Sequence, residues 1–588
     1  LWLAVFPAWT ALPPASPSRY LDDVKTLTAP RMEGRGDGSK GLSRAGKYIE
    51  KTFKDLGLQP AGTHSYTQPF TVTTGARLQT KNRLEVRFGR NTRVLKLNTD
   101  YVPLSFSSVG VFNGPLVFAG YGASADEFQY DDYANLDVKD KIVVLLRYEP
   151  ESFAEKAGKQ GPTLHSNLIT KAINARNHGA KAVILVNGKR EGEEDLLLRF
   201  GAQAGPEDAG ILLVQVKNSA AEEWFQASGQ SLYDLQKKIN SEQKPQSFAF
   251  PGPVQASLRV DIEHTHATVN NILGYLPGKT DEYIIIGAHY DHLGRGDAHS
   301  LAPAQIGQIH PGADDNASGT AGMLELARIF TQSKAELQRG ILFMAFAGEE
   351  LGLLGSADWV KEPTRSPDKA VAMLNMDMIG RIKDSRLYVG GVGTGSNFDA
   401  LVKGVAAKYP FKIEYSAGGY AASDHTSFVA RGIPSLFFFS GLHSDYHKPS
   451  DTWEKIDSKA AALLLDLIGE LAADLASEAE RPKFVRVETP PSGHSGGGGG
   501  YGPYFGSIPD FGETEHGVKF SDVRPGSPAA KAGLKAGDVL VQFGDKPINN
   551  LYDFTDALRR SKVGDVVEVK VMRDGQPVSA KVTLEQRQ

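Results

Sequence analysis

Apolar positions along the chain repeat one figure: a short unbroken apolar run, an abrupt polar stop, then a stretch with helical spacing. The sharpest run, Tyr283 to Ala288, reads Tyr-Ile-Ile-Ile-Gly-Ala and stops in His289-Tyr290-Asp291-His292. Runs of this length and composition predict strands buried on both faces. Ile341 to Phe346 stops in Ala347-Gly348-Glu349-Glu350, Ala370 to Met376 stops in Asp377, and Ile433 to Phe439 leads into His443-Ser444-Asp445-Tyr446-His447. Gly312-Ala313-Asp314-Asp315-Asn316 stands directly ahead of a helical face made by Met323, Leu324, Leu326, Ala327 and Phe330. Strands alternating with helices predict an α/β fold with a mostly parallel central sheet flanked by helices, and such sheets gather ligands beyond the carboxyl ends of their strands.

The texture elsewhere divides the chain. Residues 1–19, apolar to Leu12 and then proline-rich, read as the remnant of a signal peptide or an apolar leader. A dozen apolar residues cannot span a bilayer, which takes about twenty, so the expected location is secreted or periplasmic. Residues 20–111 open with a helical face of Tyr48, Ile49, Phe53 and Leu56 and read as the N-terminal part of the domain holding the acidic stops. Residues 112–250 turn to short strands around one helix from Leu168 to His178, a separate β-rich domain. The acidic stops and histidines fall within 251–485; 486–503 is a Gly/Pro-rich linker, and 504–588 a small strand-rich module.

Composition narrows the chemistry. A net charge of −4 gives no electrostatic reason to expect nucleic acid, and no later run is long enough for a membrane span. With no cysteine, any metal must be held by His, Asp or Glu. His289, Asp314, Glu350, Asp377 and His447 all fall at or just beyond the ends of expected strands. An Asp-Asp pair ahead of a helix often only caps it, and a Glu-Glu pair is often a solvated face. Gathered at one sheet edge with two histidines, they predict a metal centre. One catalytic zinc takes three protein ligands and an open position, so this set suits two Zn2+ sharing a carboxylate, for which Asp314 is the expected bridge. Glu349 is left free to act as general base. Asp291, on the same side of an extended segment as His289, is expected to orient that imidazole. His292, His299, His310, His425 and His443 are read as loop or packing histidines.

These motifs carry a resemblance. Gly287-Ala288-His289-Tyr290-Asp291-His292-Leu293-Gly294, Gly312 to Gly319, Ala347-Gly348-Glu349-Glu350-Leu351-Gly352, Asn375-Met376-Asp377-Met378-Ile379-Gly380 and Tyr446-His447-Lys448-Pro449-Ser450-Asp451-Thr452 resemble, in order, those of the co-catalytic di-zinc aminopeptidases. That clan also includes glutamate carboxypeptidase, glutaminyl cyclase and the transferrin receptor. The resemblance implies a zinc-exopeptidase-like fold, with His289 and Asp377 on one ion, Glu350 and His447 on the other, and Asp314 bridging. It further implies that a metal-bridging water attacks the peptide carbonyl with Glu349 as base, and that Tyr446 donates to the oxyanion. The substrates implied are peptides with a free amino terminus. Within the clan the alternatives are a glutaminyl cyclase-like acyl transferase and a carboxypeptidase, for which Arg381 is the nearest basic residue; outside it, a non-catalytic receptor-like binding protein. Arg31-Met32-Glu33-Gly34-Arg35-Gly36 resembles the lead-in of bacterial secreted members, 112–250 a protease-associated domain, and 504–588 a PDZ domain. Tyr504-Phe505-Gly506-Ser507 falls where PDZ domains take a peptide carboxyl terminus.

Overall fold

The computed structural model describes residues 12–158, 162–190, 192–201, 206–252, 254–296, 299–333, 337–478, 480–487, 502–509 and 516–586. The expected leader up to residue 11 and the expected linker from 488 to 501 lie outside the described residues. The leader's boundary at 19 is corrected: helix α1 (Pro17–Thr28) begins earlier, capped by Ser16. Ala15 N–H already donates to Asp466 at 2.7 Å.

The chain divides into two units, one of Leu1–Thr74, His266–Asn549 and Leu558–Gln588, the other of Gly75–Thr265 and Asn550–Ala557. The expected boundaries at 111 and 250 shift outward accordingly. The strands Arg83–Phe88 and Asn91–Leu95 join Gln255–Val260 in the second unit's sheet, so sequence on both sides of the expected β-rich domain is needed to complete it.

In the first unit, helix α2 (Lys40–Asp55) is capped by Ser39, whose hydroxyl accepts from Leu42 N–H at 3.1 Å. Leu42, Ala45, Ile49 and Phe53 form its buried face. The sheet consists chiefly of β1 (Ile262–Leu276), β2 (Tyr283–His289), β3 (Gly340–Phe346), β4 (Ala370–Met376), β5 (Arg386–Gly390), β6 (Lys412–Ser416) and β7 (Ser435–Phe439), in the order β1-β3-β2-β4-β7-β5-β6. The four central strands β3, β2, β4 and β7 are mutually parallel, while β1 and β5 join antiparallel.

The isoleucine run of β2 is buried on both faces. Ile284 and Ile286 enter the core built with α1, α2, α3 (Gly319–Gln332) and α4 (Ser458–Ser477); Tyr283 and Ile285 enter the opposite one beside Trp359 and Phe428. Glycine is required at 287, where a Cβ would lie 2.6 Å from the Phe346 ring. His289 pairs with Phe346 and Gly287 with Asn375, so β2, β3 and β4 end nearly in step and release their polar loops at one edge.

The second unit holds parallel strands Gly110–Phe118, Ile142–Leu146, Ala182–Val186 and Leu212–Val216, with the expected helix at Leu168–Asn177 and further helices at Asn218–Ala227 and Leu232–Glu242. It is α/β rather than simply β-rich. The C-terminal module contains a six-stranded sheet from Ser507–Pro509 to Gln576–Thr583, and the helix Leu551–Arg560.

Candidate metal centre

The loops leaving the strands converge as the sequence suggests, with one displacement. His289, the last residue of β2, is 1% exposed; its Nε2 lies 3.4 Å from Asp377 Oδ1, 3.5 Å from Asp315 Oδ1 and 3.9 Å from Glu349 Oε2. Beyond β3, Gly348 turns the chain at φ +70°, a conformation glycine adopts without strain, and sets Glu349 and Glu350 into the site. Glu350 Oε2 lies 3.1 Å from His447 Nε2, and Asp315 Oδ2 lies 3.3 Å from the same nitrogen. Asp315 therefore faces an imidazole on each side.

Asp314, the expected bridge, is corrected. Its Oδ1 accepts the Gly380 N–H at 2.7 Å and its Oδ2 lies 3.3 Å from His443 Nε2, so its carboxylate holds the loop after β4. The backbone causes the exchange. Ala313–Ser318 departs from helical geometry at Asp315 (φ −103°, ψ 98°) and Asn316 (φ −126°, ψ 42°). Capping falls to Asn316, whose Oδ1 accepts from Gly319 N–H at 2.9 Å. Asp451 Oδ2 accepts the N–H groups of Asp314 and Asp315 at 2.9 and 3.2 Å and fixes the turn. Spacing alone could not separate two adjacent carboxylates.

The surrounding residues orient the ligands. His447 Nδ1 donates to the His299 carbonyl at 3.0 Å, which turns Nε2 toward the carboxylates. Ser423 Oγ donates to Asp377 Oδ2 at 2.8 Å and accepts from Asn375 Nδ2 at 2.8 Å. Asp291 faces His289 Nδ1 at 3.7 Å, too far for a hydrogen bond, and its other oxygen accepts the Glu350 N–H at 3.1 Å. Its expected role is thus shared: it lies beside the imidazole but anchors the Glu350 loop. Tyr446 stacks on His447 with ring centroids 3.8 Å apart.

His292, read as a packing histidine, belongs to the site: its Nδ1 lies 2.7 Å from Glu350 Oε1. Among the described residues, ligand atoms of His289, Glu349 and Asp377 lie within 4.8 Å of one another, as do those of His292, Asp315 and Glu350. No periodicity distinguishes His292 from other loop histidines.

The electrostatics suit a cation. Burial, with Asp377, Glu350 and Asp424 adding to it and His289 opposing, pushes the Glu349 carboxyl well above its usual range. Burial alone would lower the His447 imidazole, but Glu350 and Asp315 push it up to about 11. Conversely, burial would raise Glu350, and His447 and His292 hold it well below the usual range. His447 Nε2 is buried and close to two carboxylates, yet aligned in a hydrogen bond to neither. Two groups of ligand-type atoms, each drawn together within 4.8 Å, fit a bound metal ion.

A mostly parallel sheet with such a centre at its carboxyl edge, together with two smaller modules, suits a metal-dependent hydrolase. Models of peptidase family M28, the PA domain and the PDZ domain match residues 271–472, 112–224 and 509–584. A probable leucine aminopeptidase of Arthroderma benhamiae is 31% identical over 265 residues, covering 43% of this chain and 71% of that protein. Aminopeptidase YwaD of Bacillus subtilis is 29% identical over 359 residues, 58% of this chain and 68% of that one. Among solved structures, an aminopeptidase from Aneurinibacillus aligns at 22% identity with a TM-score of 0.49, covering 81% of this chain and 97% of its own. A zinc aminopeptidase from Bacillus subtilis aligns at 22% identity and a TM-score of 0.48, over 79% and 96%. The chain belongs to peptidase family M28.

Proposed function

We propose that the chain is a zinc-dependent aminopeptidase that holds two ions and releases residues from the free amino end of peptides. The observation that carries this reading is the position of Asp315 between His289 and His447, which gives two ligand groups one shared carboxylate. His289 and Asp377 would hold one ion, Glu350 and His447 the other, and Asp315 both. When bound, such ions lower the pKa of water and polarise a carbonyl. Glu349, 3.9 Å from His289 and next to Glu350, takes the proton of the attacking water and returns it to the leaving amine. The Tyr446 hydroxyl is assigned as donor to the oxyanion, a contribution of roughly 3 kcal/mol in such sites.

The choice of end rests on the relatives named aminopeptidases and on Arg381. Arg381 Nη1 donates to Asp445 at 2.7 Å and lies 3.1 Å from His443 Nδ1, so the basic residue the sequence offers for a substrate carboxylate is engaged in an ion pair. The test is mass spectrometry of a free peptide over time. A ladder shortening from the amino end, slowed about a hundredfold or more by acetylating the amine, is expected. Shortening from the carboxyl end, or pyroglutamate formation without shortening, would overturn the reading. Two further assignments rest on sequence alone: the apolar leader supports a secreted or periplasmic location, and the Tyr504-Phe505-Gly506-Ser507 loop supports binding of peptide carboxyl termini by the PDZ module.

A further inference from the structure

Arg35 is fully buried, and among the described residues its guanidinium donates to backbone carbonyls rather than to a carboxylate. Its Nε donates to the Tyr290 carbonyl at 2.8 Å, Nη1 to Leu27 and Pro311 at 2.9 and 2.7 Å, and Nη2 to Gly312 at 2.8 Å. Tyr290 directly follows the ligand His289, and Pro311-Gly312 opens the turn that carries Asp315. A single guanidinium thus spans both loops. Its own backbone is fixed to the first of them: Arg35 O accepts from His292 N–H at 3.1 Å, and Gly34 O from Gly294 N–H at 3.0 Å. The fit is close, since a Cβ on Gly34 would lie 2.2 Å from Gly294 O. Arg35 also sits at φ 53°, in the left-handed region costly for a non-glycine residue, so the surroundings hold it there.

Why a buried arginine should donate only to carbonyls follows from what lies around it. Burying an isolated guanidinium is expensive. Asp315, Asp291, Asp451 and Glu350 exert a favourable field on it, and although burial lowers its pKa to about 10 it stays charged at neutral pH. A direct ion pair with Asp315 or Glu350 would tie up oxygens that a metal ion requires. Carbonyl contacts keep the charge near the acids and their oxygens free.

We propose that Arg35 is a positioning residue for the metal centre, a buried cationic clip that sets the spacing between the loop bearing His289, Asp291 and His292 and the turn bearing Asp315. The inference rests on the zinc reading above and adds a residue that touches neither ion nor substrate. Lysine offers a single ammonium and cannot reach carbonyls on both loops with a planar fork. Arg35→Met removes the charge as well.

The experiment uses the full chain, stripped with a chelator and titrated with zinc against a competing fluorescent chelator, alongside melting temperatures with and without zinc. For Arg35→Lys and Arg35→Met, zinc affinity is expected to fall ten- to hundredfold, the range seen for groups that orient ligands. The rise in Tm on adding zinc should shrink. A variant that melts earlier when stripped yet keeps wild-type zinc affinity and the full zinc-induced rise would show a structural clip only and overturn the proposal. Should Arg35→Met fail to fold, Arg35→Lys carries the test. A wild-type chain that takes up no zinc would overturn the metal reading itself, and the clip with it.

Discussion

Asp314 and Asp315 are neighbours in the chain whose carboxylates serve opposite ends: Asp314 accepts the Gly380 N–H at 2.7 Å, while Asp315 faces His289 and His447 at 3.5 and 3.3 Å. Asp315→Ala is expected to abolish stoichiometric zinc binding and activity. Asp314→Ala should retain zinc but lose about 1–3 kcal/mol of stability, because the buried Gly380 N–H is left without a partner. Metal content by mass spectrometry and urea denaturation separate the two; equal zinc loss in both variants would contradict the assignment.

Glu349→Gln keeps the size of the side chain and removes the proton acceptor. Zinc content is expected to be normal, with kcat lowered at least about a hundredfold. Near-normal turnover on an aminoacyl chromogenic substrate would remove Glu349 as the base.

The two histidines beside Glu350 should behave differently. His447→Ala is expected to lower stoichiometry from two zinc to one. His292→Gln should keep both ions while weakening one by about ten- to hundredfold, as for a group that orients a ligand. Competition with a chelator measures both, and an exchange of the two outcomes would identify His292 as the ligand.

Acid lability is expected from His425, whose ring stacks on Phe437 at a centroid distance of 4.4 Å. Burial lowers its pKa to about 3, against an ordinary value of 6.5. The unfolded chain binds the proton at higher pH than the folded one. The stability held above pH 6.5 is therefore lost as pH falls toward 3, at a limiting rate of about 1.4 kcal/mol per unit. His425→Gln should flatten Tm between pH 7 and 4; an unchanged slope would place the lability elsewhere.

The central sheet and the convergence of most of the candidate site residues at its edge were legible because both follow from periodicity. Continuous apolar runs as in β2 and β4 can form only doubly buried strands, and a polar residue that ends such a run must emerge at the strand's end. His289 and Asp377 are placed by that rule, and the Glu349-Glu350 turn by its glycine. Asp315 was missed because the choice between adjacent carboxylates is made by backbone torsions at Asp315 and Asn316, supported by Asp451 from much later in the chain. His292 was missed for a similar reason, since its partner Glu350 comes from the next strand of the sheet.

Boundaries were less legible. Strands at 83–95 look, residue by residue, like those of either unit; pairing with Gln255–Val260 decides the matter, and sequence patterns do not record pairing. The short helices Asn218–Ala227 and Leu232–Glu242 follow the five-residue strands Ile142–Leu146, Ala182–Val186 and Leu212–Val216, which masks the change of period.

The split of the first unit also bears on how the chain is made. Helices α1 and α2 leave the ribosome early, but the strands β1 to β7 that make most of their sheet come only after residue 261. Until then Arg35 has none of its carbonyl partners beyond Leu27, and Phe53 of α2 lacks its ring partner Phe343 of β3. The whole of Gly75–Thr265 can collapse in that interval, since its sheet closes with Gln255–Val260. Synthesis thus favours an order in which the inserted unit folds first and the catalytic unit, dominated by contacts between distant segments, folds last and slowly. An immature chain would then hold its peptidase inactive until the last ligand loop, at His447, has been translated.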